Sequence, residues 1–382
     1  MIDDPVRIAA FERGIRAAVR AGDVVVDLGC ALGNYAVLAC AAGAARVYAV
    51  EAGPVAVAAR QVVAANGCDD RIRVLRGLST ELAVPERAGV VIYEDYPITL
   101  VSTNAARVTR DAVERWLRPG GRMLPSRARL WAAPVEAEDA YREIDRFAAV
   151  GDRVAGVDIG PTRHLAFCET VPVQLPASAP LGEARLVAEL DLQPLREPVV
   201  DFETRVAATR PGLVHGLLLW FELELAGEWL SSGPLSPRVA WRQALFPAEQ
   251  PLRVDAGQEI AVSLRGGPFG DEMVWHWCLE AGGQRGEAST LDSMSLDAER
   301  LARWEPGRVP RRDAEQELHL AILQLVDGAR PLAQIASELE ARFPGRFDQR
   351  DLARRRVLEV LERSRSRARP DISRERWELR RG

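Results

Sequence analysis

At 382 residues the chain is longer than one hydrophobic core usually supports, so we expect two or three domains. The composition, 47% hydrophobic and 27% charged, is typical of a folded protein, and no apolar run reaches the length of a membrane span. The net charge of -5 argues against nucleic acid as a partner, and five scattered cysteines predict a reduced, cytoplasmic protein with no bound metal.

The first third of the chain alternates short apolar runs with Ala-rich segments. Residues 23–28 are an apolar run followed by a Gly-containing turn and a helical segment at 36–44, and the pattern repeats at 45–52 and 55–67. Two more apolar runs, at 71–77 and 88–95, and a helix, turn and strand at 112–125 follow. This alternation predicts an α/β fold with a doubly wound, Rossmann-like parallel sheet.

The character of the sequence changes twice after this point. Short segments with β-branched or alternating residues predict a β-sandwich or a β-barrel, and three segments with helical periodicity then predict a small helical or winged-helix module. The Arg-rich end has little apolar periodicity and is expected to be mobile. The predicted divisions are a cofactor domain at 1–133, a barrel at 134–290, a helical domain at 291–365 and a tail at 366–382.

The turn after the first predicted strand has the features of a nucleotide-type cofactor site. Gly29 and Gly33 let the backbone pass close to a ligand, and Glu51, at the end of the second strand, is placed to bind both hydroxyls of a ribose. Ala31 and Asn34 stand where a dinucleotide-binding turn would have glycines. The pattern therefore disfavours NAD and favours S-adenosylmethionine.

Several segments follow one another in a characteristic order: DDPVR, VVVDLGCALGNYAVLACAAGAARVYAVEA, ANGCDDRIRVLRG, WLRPGGRMLP and, in the predicted barrel, VHGLLLWFELEL and SPRVAWRQALF. In order and spacing they resemble the protein arginine methyltransferases. The resemblance covers roughly residues 1–280. It implies an S-adenosyl-L-methionine-dependent methyltransferase with a barrel after the cofactor domain, and an arm for homodimer formation within residues 138–170.

The same resemblance implies roles for individual residues. Arg7 would bind the cofactor carboxylate, the turn from Asp27 to Gly33, which includes Gly29 and Cys30, would line its methionine part, and Glu51 would hold the ribose. Either Thr80 or Glu81 would contact the adenine, because the match in GLSTELAVP is shifted.

The acceptor side departs from the family. The family orients the always protonated guanidinium with two glutamates on one loop; Glu94 matches the first, but Thr103 stands at the second. Of the barrel's Thr-His-Trp motif only Trp241 remains. Glu94 and Asp95 still favour a nitrogen acceptor and are the predicted catalytic residues, with Tyr35, Thr103 and Trp241 in the acceptor pocket.

The helical segment at 318–345 resembles PqqD-like modules, which bind leader peptides in pathways that modify ribosomally made peptides. The main prediction is therefore an enzyme that N-methylates a peptide or protein amine, recruited through a leader peptide at this module. Two alternatives stay open. One is a true protein arginine methyltransferase, and the other is a non-catalytic peptide-binding scaffold that retains the methyltransferase fold.

Overall fold

The computed structural model describes residues 3–146, 150–294, 314–344, 346–347 and 351–363. The chain divides into two compact units, Met1–Met294 and Ser295–Gly382, and each is described by itself. Neither unit, in the residues just given, has a helix that is both long and apolar enough to cross a membrane. The four divisions predicted from the sequence stay predictions.

A five-stranded parallel sheet forms the first part of the larger unit. Its strands are β1 (Val24–Leu28), β2 (Arg46–Glu51), β3 (Ile72–Arg76), β4 (Ala88–Tyr93) and β5 (Leu117–Leu124). They lie in the order β3-β2-β1-β4-β5, and every neighbouring pair is parallel. The predicted Rossmann-like sheet is confirmed. Because the strand order reverses at β1, a crevice opens at the carboxyl end of that strand.

Helices cover this sheet. They are α1 (Pro5–Ala18), α2 (Asn34–Ala41), α3 (Ala56–Ala65) and α4 (Thr103–Asp111), and a π-helical turn, Ala112–Trp116, continues α4. Helix α1 begins with a proline, and the Asp4 side chain accepts a hydrogen bond from the Arg7 amide, so the sequence itself sets its start. Phe11, Ile15 and Trp116 are completely buried, and this apolar packing fixes the helices on the sheet.

The rest of the larger unit is mostly antiparallel β-structure. The strands are β6 (Arg127–Val135), β7 (Arg153–Val154), β8 (Val157–Asp158), β9 (Val171–Val173), β10 (Arg185–Asp191), β11 (Val200–Ala207), β12 (Gly212–Leu225), β13 (Glu228–Ser231), β14 (Gln243–Val254), β15 (Glu259–Phe269), β16 (Glu272–Ala281) and β17 (Gln284–Ser289). The β-rich region predicted after the parallel sheet is therefore present.

Hydrogen bonding arranges these strands mainly in two sheets. One has the order β10-β6-β12-β14-β9, with β13 paired to β12, and the other has the order β11-β15-β16-β17. Phe246 of β14 packs edge-on against Trp275 and Trp277 of β16, so the sheets share an aromatic core. The predicted closed barrel is not confirmed, because a barrel needs one continuous ring of hydrogen-bonded strands.

The segment predicted to be an arm lies between β6 and β9. It contains α5 (Glu138–Ile144), the hairpin of β7 and β8, and a 3-10 helix, Gly160–Phe167. Arg163 donates two hydrogen bonds, of 3.1 and 2.7 Å, to the carboxylate of Asp145. This bidentate ion pair joins the end of α5 to the 3-10 helix. A short helix, α6 (Thr290–Ser293), follows β17.

The second unit has three helices among its described residues: α7 (Ala314–Leu325), α8 (Leu332–Arg342) and α9 (Leu352–Arg363). Leu318, Ile322, Leu339 and Val357 form its buried apolar core. The three predicted helices are therefore present. A PqqD-like module also requires a β-hairpin before α7, but residues 295–313 lie outside the described residues, as does the tail at 366–382. The module's identity and its leader peptide stay predictions.

Candidate functional site

A cavity of about 350 Å³ lies at the carboxyl ends of β1, β2 and β4. Of the residues predicted to form the site, it is lined by Arg7, Gly29, Cys30, Tyr35, Glu51, Thr80, Glu94 and Asp95. Its size is in the range of small-molecule sites, and its position is where doubly wound sheets bind their ligands. Asp27, Gly33, Glu81, Thr103 and Trp241 lie outside this lining.

Glu94 is held by two partners at one wall of the cavity. The Arg7 Nη1 atom donates a hydrogen bond of 2.6 Å to its Oε1, and the Tyr35 hydroxyl donates one of 2.8 Å to its Oε2. Burial raises the pKa of Glu94, and the charge of Arg7 opposes that rise. The carboxylate is thus fixed in orientation, since each oxygen has its own donor.

Arg7 is in turn enclosed by residues of α1 and of the β-rich part. Its Nε atom lies 3.4 Å from the Asp4 carboxylate, and its guanidinium lies over the Trp241 ring at 5.4 Å. Asp4 Oδ2 also accepts a 2.5 Å hydrogen bond from the Ala240 amide. Trp241 is therefore placed behind the cavity, where it supports Arg7. Ala240, at the position of the family's histidine, contributes only its backbone.

The glycine turn closes the floor of the cavity. Gly29 and Gly33 have φ angles of +75° and +78°, which an L side chain adopts only with strain. The Gly29 and Cys30 amides both donate to the Val50 carbonyl, at 2.9 and 3.0 Å, and Gly33 precedes the first residue of α2. The turn brings backbone, rather than side chains, up to the cavity.

Glu51 stands at the end of β2 and is oriented by two backbone donors. Its Oε2 accepts a 3.0 Å hydrogen bond from the Ala31 amide, and its Oε1 accepts one of 2.6 Å from the Gly53 amide. Each carboxylate oxygen has a further lone pair, so the group can still accept hydrogen bonds from a ligand in the cavity.

Asp27, in β1, is buried beneath the site. Its Oδ2 atom has no hydrogen-bond partner within the described ranges. Burial raises the pKa of Asp27 to about 8, and the charge of Glu94 adds to that rise. A hydrogen bond from the Ala36 backbone opposes this rise in the pKa, and Asp27 lies beneath the cavity rather than in its lining.

Asp95 is the exposed carboxylate of the cavity. Its carbonyl oxygen accepts a 2.9 Å hydrogen bond from the Tyr93 hydroxyl. Its carboxylate forms neither a hydrogen bond nor an ion pair with the residues that the structure describes. Of the two residues considered for adenine contact, Thr80 lines the cavity and Glu81 does not.

Thr103 does not face the cofactor cavity. Its hydroxyl donates a 2.5 Å hydrogen bond to the carbonyl of Asp271, in the turn between β15 and β16, and it lines a neighbouring groove. The loop that carries a second glutamate in the resembling family thus ends here in a neutral side chain that is already bonded. Its assignment to the acceptor pocket stays a prediction.

Sequence reasoning missed the contribution of α4. Asn104, Arg107 and Val108 line the cavity from this helix. Ser102, which accepts a hydrogen bond from the Ala105 amide, is a helix-start signal that was available in the sequence. It marks where the helix begins, but not which of its faces meets the cavity.

Comparisons with known proteins agree with this arrangement. Residues 126–268 match the family model described as the arginine methyltransferase oligomerization subdomain. The chain is 32% identical over 278 residues to an arginine N(omega)-methyltransferase of Streptomyces achromogenes, with 69% of this chain and 74% of that protein covered. It is 31% identical over 277 residues to the histone-arginine methyltransferase CARMER of Anopheles gambiae, with 68% and 44% covered.

The fold is also similar to that of a solved complex. The structure titled Trypanosoma brucei PRMT1 enzyme-prozyme heterotetrameric complex with AdoHcy matches with a TM-score of 0.68 and 23% identity, covering 76% of this chain and 96% of that one. At that identity the likeness concerns the fold. The chain spans about half the length of several curated relatives that it matches, 44% or 48% of each.

Proposed function

Because the chain belongs to the protein arginine methyltransferase family, we propose that it transfers a methyl group from S-adenosylmethionine to a guanidinium nitrogen of arginine. The observation that carries the proposal is the joint placement of Arg7, Glu51 and Glu94 around one cavity beside the glycine turn. A positive group, a ribose-binding carboxylate and a carboxylate facing the acceptor are what this chemistry requires.

The relatives favour arginine as the acceptor over the peptide amine that the sequence first suggested. Their printed names refer to arginine methylation, in one case of histones, and none refers to ribosomally made peptides. Arginine methylation was the alternative interpretation of the sequence, and it is the one proposed here. The amine acceptor and the peptide pathway have no support from the relatives.

The residues of the cavity fit the proposed cofactor. Gly29 and Cys30 offer close backbone approach, Glu51 offers acceptor lone pairs for hydroxyl groups, and the unsatisfied Oδ2 of Asp27 lies below them. Arg7 would hold a carboxylate and Thr80 would lie at the adenine end. When bound, this cofactor supplies an electrophilic methyl group on a positively charged sulfur.

Asp95 supplies the second carboxylate for the acceptor in this proposal. Each Glu94 oxygen keeps one lone pair after accepting from Arg7 and Tyr35. The charge of Glu94 is already compensated by Arg7, so a guanidinium needs a second carboxylate beside it. Thr103 is neutral and bonded to Asp271. The carboxylate of Asp95 lines the cavity and is exposed, which leaves it available to pair with the guanidinium.

Because Asp95 is exposed, it can also pass the proton released in the reaction to solvent. A guanidinium is protonated at neutral pH, so the nitrogen that gains a methyl group must lose a proton. Asp95 can accept that proton directly or through water and return it to solvent. Glu94 keeps the guanidinium in one orientation, because its own geometry is fixed by Arg7 and Tyr35.

Assembly through the segment between β6 and β9 is also proposed. Val150, Val154 and Val157 are exposed large apolar side chains of that segment. Isolated apolar side chains are common on surfaces, but several on one segment suit contact with a second copy. Light scattering of the full chain and of a Val154→Asp, Val157→Asp variant would test for a dimer that the substitutions dissociate.

The proposed activity is tested by incubating the full chain with S-adenosylmethionine and arginine-containing acceptors, with product mass as the readout. We expect a mass gain of one or more methyl groups, with Asp95→Asn lowering kcat by about 100-fold while cofactor binding, measured by calorimetry, is retained. An exposed acid far from the cavity, Glu259, gives the matched control Glu259→Gln. Cofactor binding without any methylated product would instead favour the non-catalytic scaffold.

A further inference from the structure

A groove of about 410 Å³ adjoins the cofactor cavity, and its charged lining is not used by the proposed reaction. Thr80 and Arg107 line both the cavity and the groove, so the two spaces meet at these residues. Arg110 and Thr103, on the same helix α4 as Arg107, also line the groove. It therefore begins where the acceptor loop ends.

Arg107 is oriented by neutral groups. Its Nη2 atom donates a 2.9 Å hydrogen bond to Asn104 Oδ1, and its Nη1 atom lies 3.5 Å from Thr80 Oγ1. Among the residues that the structure describes, no carboxylate forms an ion pair with it. The guanidinium is thus aimed along the cavity edge with its charge uncompensated, a state that favours an anion from solution.

Arg110 adds a second positive charge to the groove. Its Nη2 atom donates a 3.0 Å hydrogen bond to the carbonyl of Arg196, which is again a neutral partner. The groove lining contains two carboxylates, Asp111 and Glu114. Arg115 already binds Asp111 through hydrogen bonds of 2.6 and 2.8 Å, so only Glu114 remains to pair with Arg107 or Arg110. Two guanidinium groups therefore face one carboxylate that is not already paired.

Arg107 and Asp95 line the same cavity, Arg107 from α4 and Asp95 from the loop after β4. Helix α4 begins at Thr103, where that loop ends. Burial raises the pKa of the Tyr93 phenol, the Asp95 carboxylate adds to the rise, and Arg107 opposes it. The hydroxyl of Tyr93 donates to the backbone carbonyl of Asp95. A ligand whose guanidinium pairs with Asp95 therefore has Arg107 as a charged neighbour.

We propose that Arg107, with Arg110 beside it, binds a carboxylate of the methyl acceptor. The inference rests on the proposed function, since it assigns the class of acceptor for the same site. A bare guanidinium would be repelled by Arg107, whereas an acceptor with a nearby carboxylate pairs at both ends. Two sources share this chemistry: the α-carboxylate of free arginine, and an acidic side chain next to the target arginine in a peptide.

The test is equilibrium binding of L-arginine and of L-argininamide, which lacks the carboxylate, to the full chain in the presence of S-adenosylhomocysteine. We expect L-arginine to bind roughly tenfold more tightly, and Arg107→Gln to remove that difference by weakening L-arginine only. Arg60→Gln, which removes the same charge from the exposed side of α3, should leave the difference intact.

Two acetylated and amidated tripeptides, Gly-Arg-Asp and Gly-Arg-Asn, distinguish the sources. If the Asp peptide binds more tightly than the Asn peptide and Arg107→Gln abolishes that preference, the carboxylate comes from a side chain. If L-arginine binds more tightly than L-argininamide and Arg107→Gln abolishes that preference, it is the α-carboxylate. Equal binding with and without a carboxylate in both pairs, or equal weakening of all ligands by Arg107→Gln, would overturn the inference. Carboxylate-dependent binding without methyl transfer would support it while contradicting the proposed function.

Discussion

Arg7 and Glu94 form an ion pair of 2.6 Å between helix α1 and the loop after β4, with only 3% of the Arg7 side chain and 14% of the Glu94 side chain exposed. Because Arg7 also contacts Asp4 and Trp241, this pair joins the start of the chain, the parallel sheet and the β-rich part at one point. Residues that are 87 positions apart thereby determine the shape of one cavity wall.

Substitution of Glu94 by glutamine should destabilise the protein as well as reduce its activity. It leaves the buried guanidinium of Arg7 with only part of its compensating charge, so we expect a loss of about 2 kcal/mol in the free energy of unfolding. Urea denaturation measures that loss. The matched control is Glu228→Gln, which breaks the exposed Arg13–Glu228 pair and should change stability by less than about 0.5 kcal/mol. Equal effects of the two substitutions would contradict the role of burial.

Glu51→Gln should weaken cofactor binding. The substitution removes a charge and replaces one acceptor oxygen with a donor, so the amide of Ala31 or Gly53 loses its partner and so does one ligand hydroxyl. We expect the Kd for S-adenosylmethionine to rise about tenfold in calorimetric titration. The control is Asp70→Asn, which changes an exposed acid before β3. An unchanged Kd for Glu51→Gln would show that Glu51 does not bind the cofactor.

The stability contributed by Asp27 should depend on pH. The unfolded chain releases the Asp27 proton near the ordinary pKa of 3.8, whereas the folded protein holds it up to about 8, so the free energy of unfolding falls as pH rises between these values. The Asp27→Asn variant lacks this titrating group, so its free energy of unfolding does not fall with pH for this reason. The melting temperature of the variant relative to the unsubstituted protein should therefore increase from about pH 5 to about pH 8 in the absence of cofactor. A constant difference would mean that Asp27 is ionised in the folded state.

Asp4→Ala should loosen the start of α1. Asp4 caps the helix through the Arg7 amide, at 2.9 Å, and binds the Ala240 amide, so both donors lose a buried acceptor. We expect a loss of about 1–3 kcal/mol, measured by thermal unfolding. Asp4→Asn keeps an oxygen for one donor and should lose less. If the alanine variant were as stable as the asparagine variant, these hydrogen bonds would contribute little.

Local patterns were sufficient for much of the fold. The strand β1, its glycine turn and the strand β2 ending in Glu51 follow from apolar runs and from residues that tolerate a positive φ, which are properties of neighbouring residues. The long strand β12 was recognisable for the same reason. The barrel was not confirmed, since closure depends on pairing between distant strands, and no local pattern encodes it.

The site was predicted less completely than the fold. Arg7 and Glu94 were named through the family resemblance, but their direct ion pair, and the hydrogen bond from Tyr35 to Glu94, arise from packing of α1 and α2 against the sheet. Arg107 was missed because an arginine on an exposed helix face has no distinguishing sequence signal. Thr103 was expected in the acceptor pocket, yet its hydroxyl is bonded to Asp271.

The sequence by itself determined the alternation of strands and helices along the chain from β1 to α3, the glycine turn and the residue types available for chemistry, because these depend on interactions between near neighbours. Only the tertiary structure decided which charges meet. It paired Glu94 with Arg7, left the carboxylate of Asp95 exposed in the cavity and turned Arg107 toward the adjoining groove. The physical reason is that such contacts depend on how separate elements are rotated and packed, and a single residue's identity does not specify that.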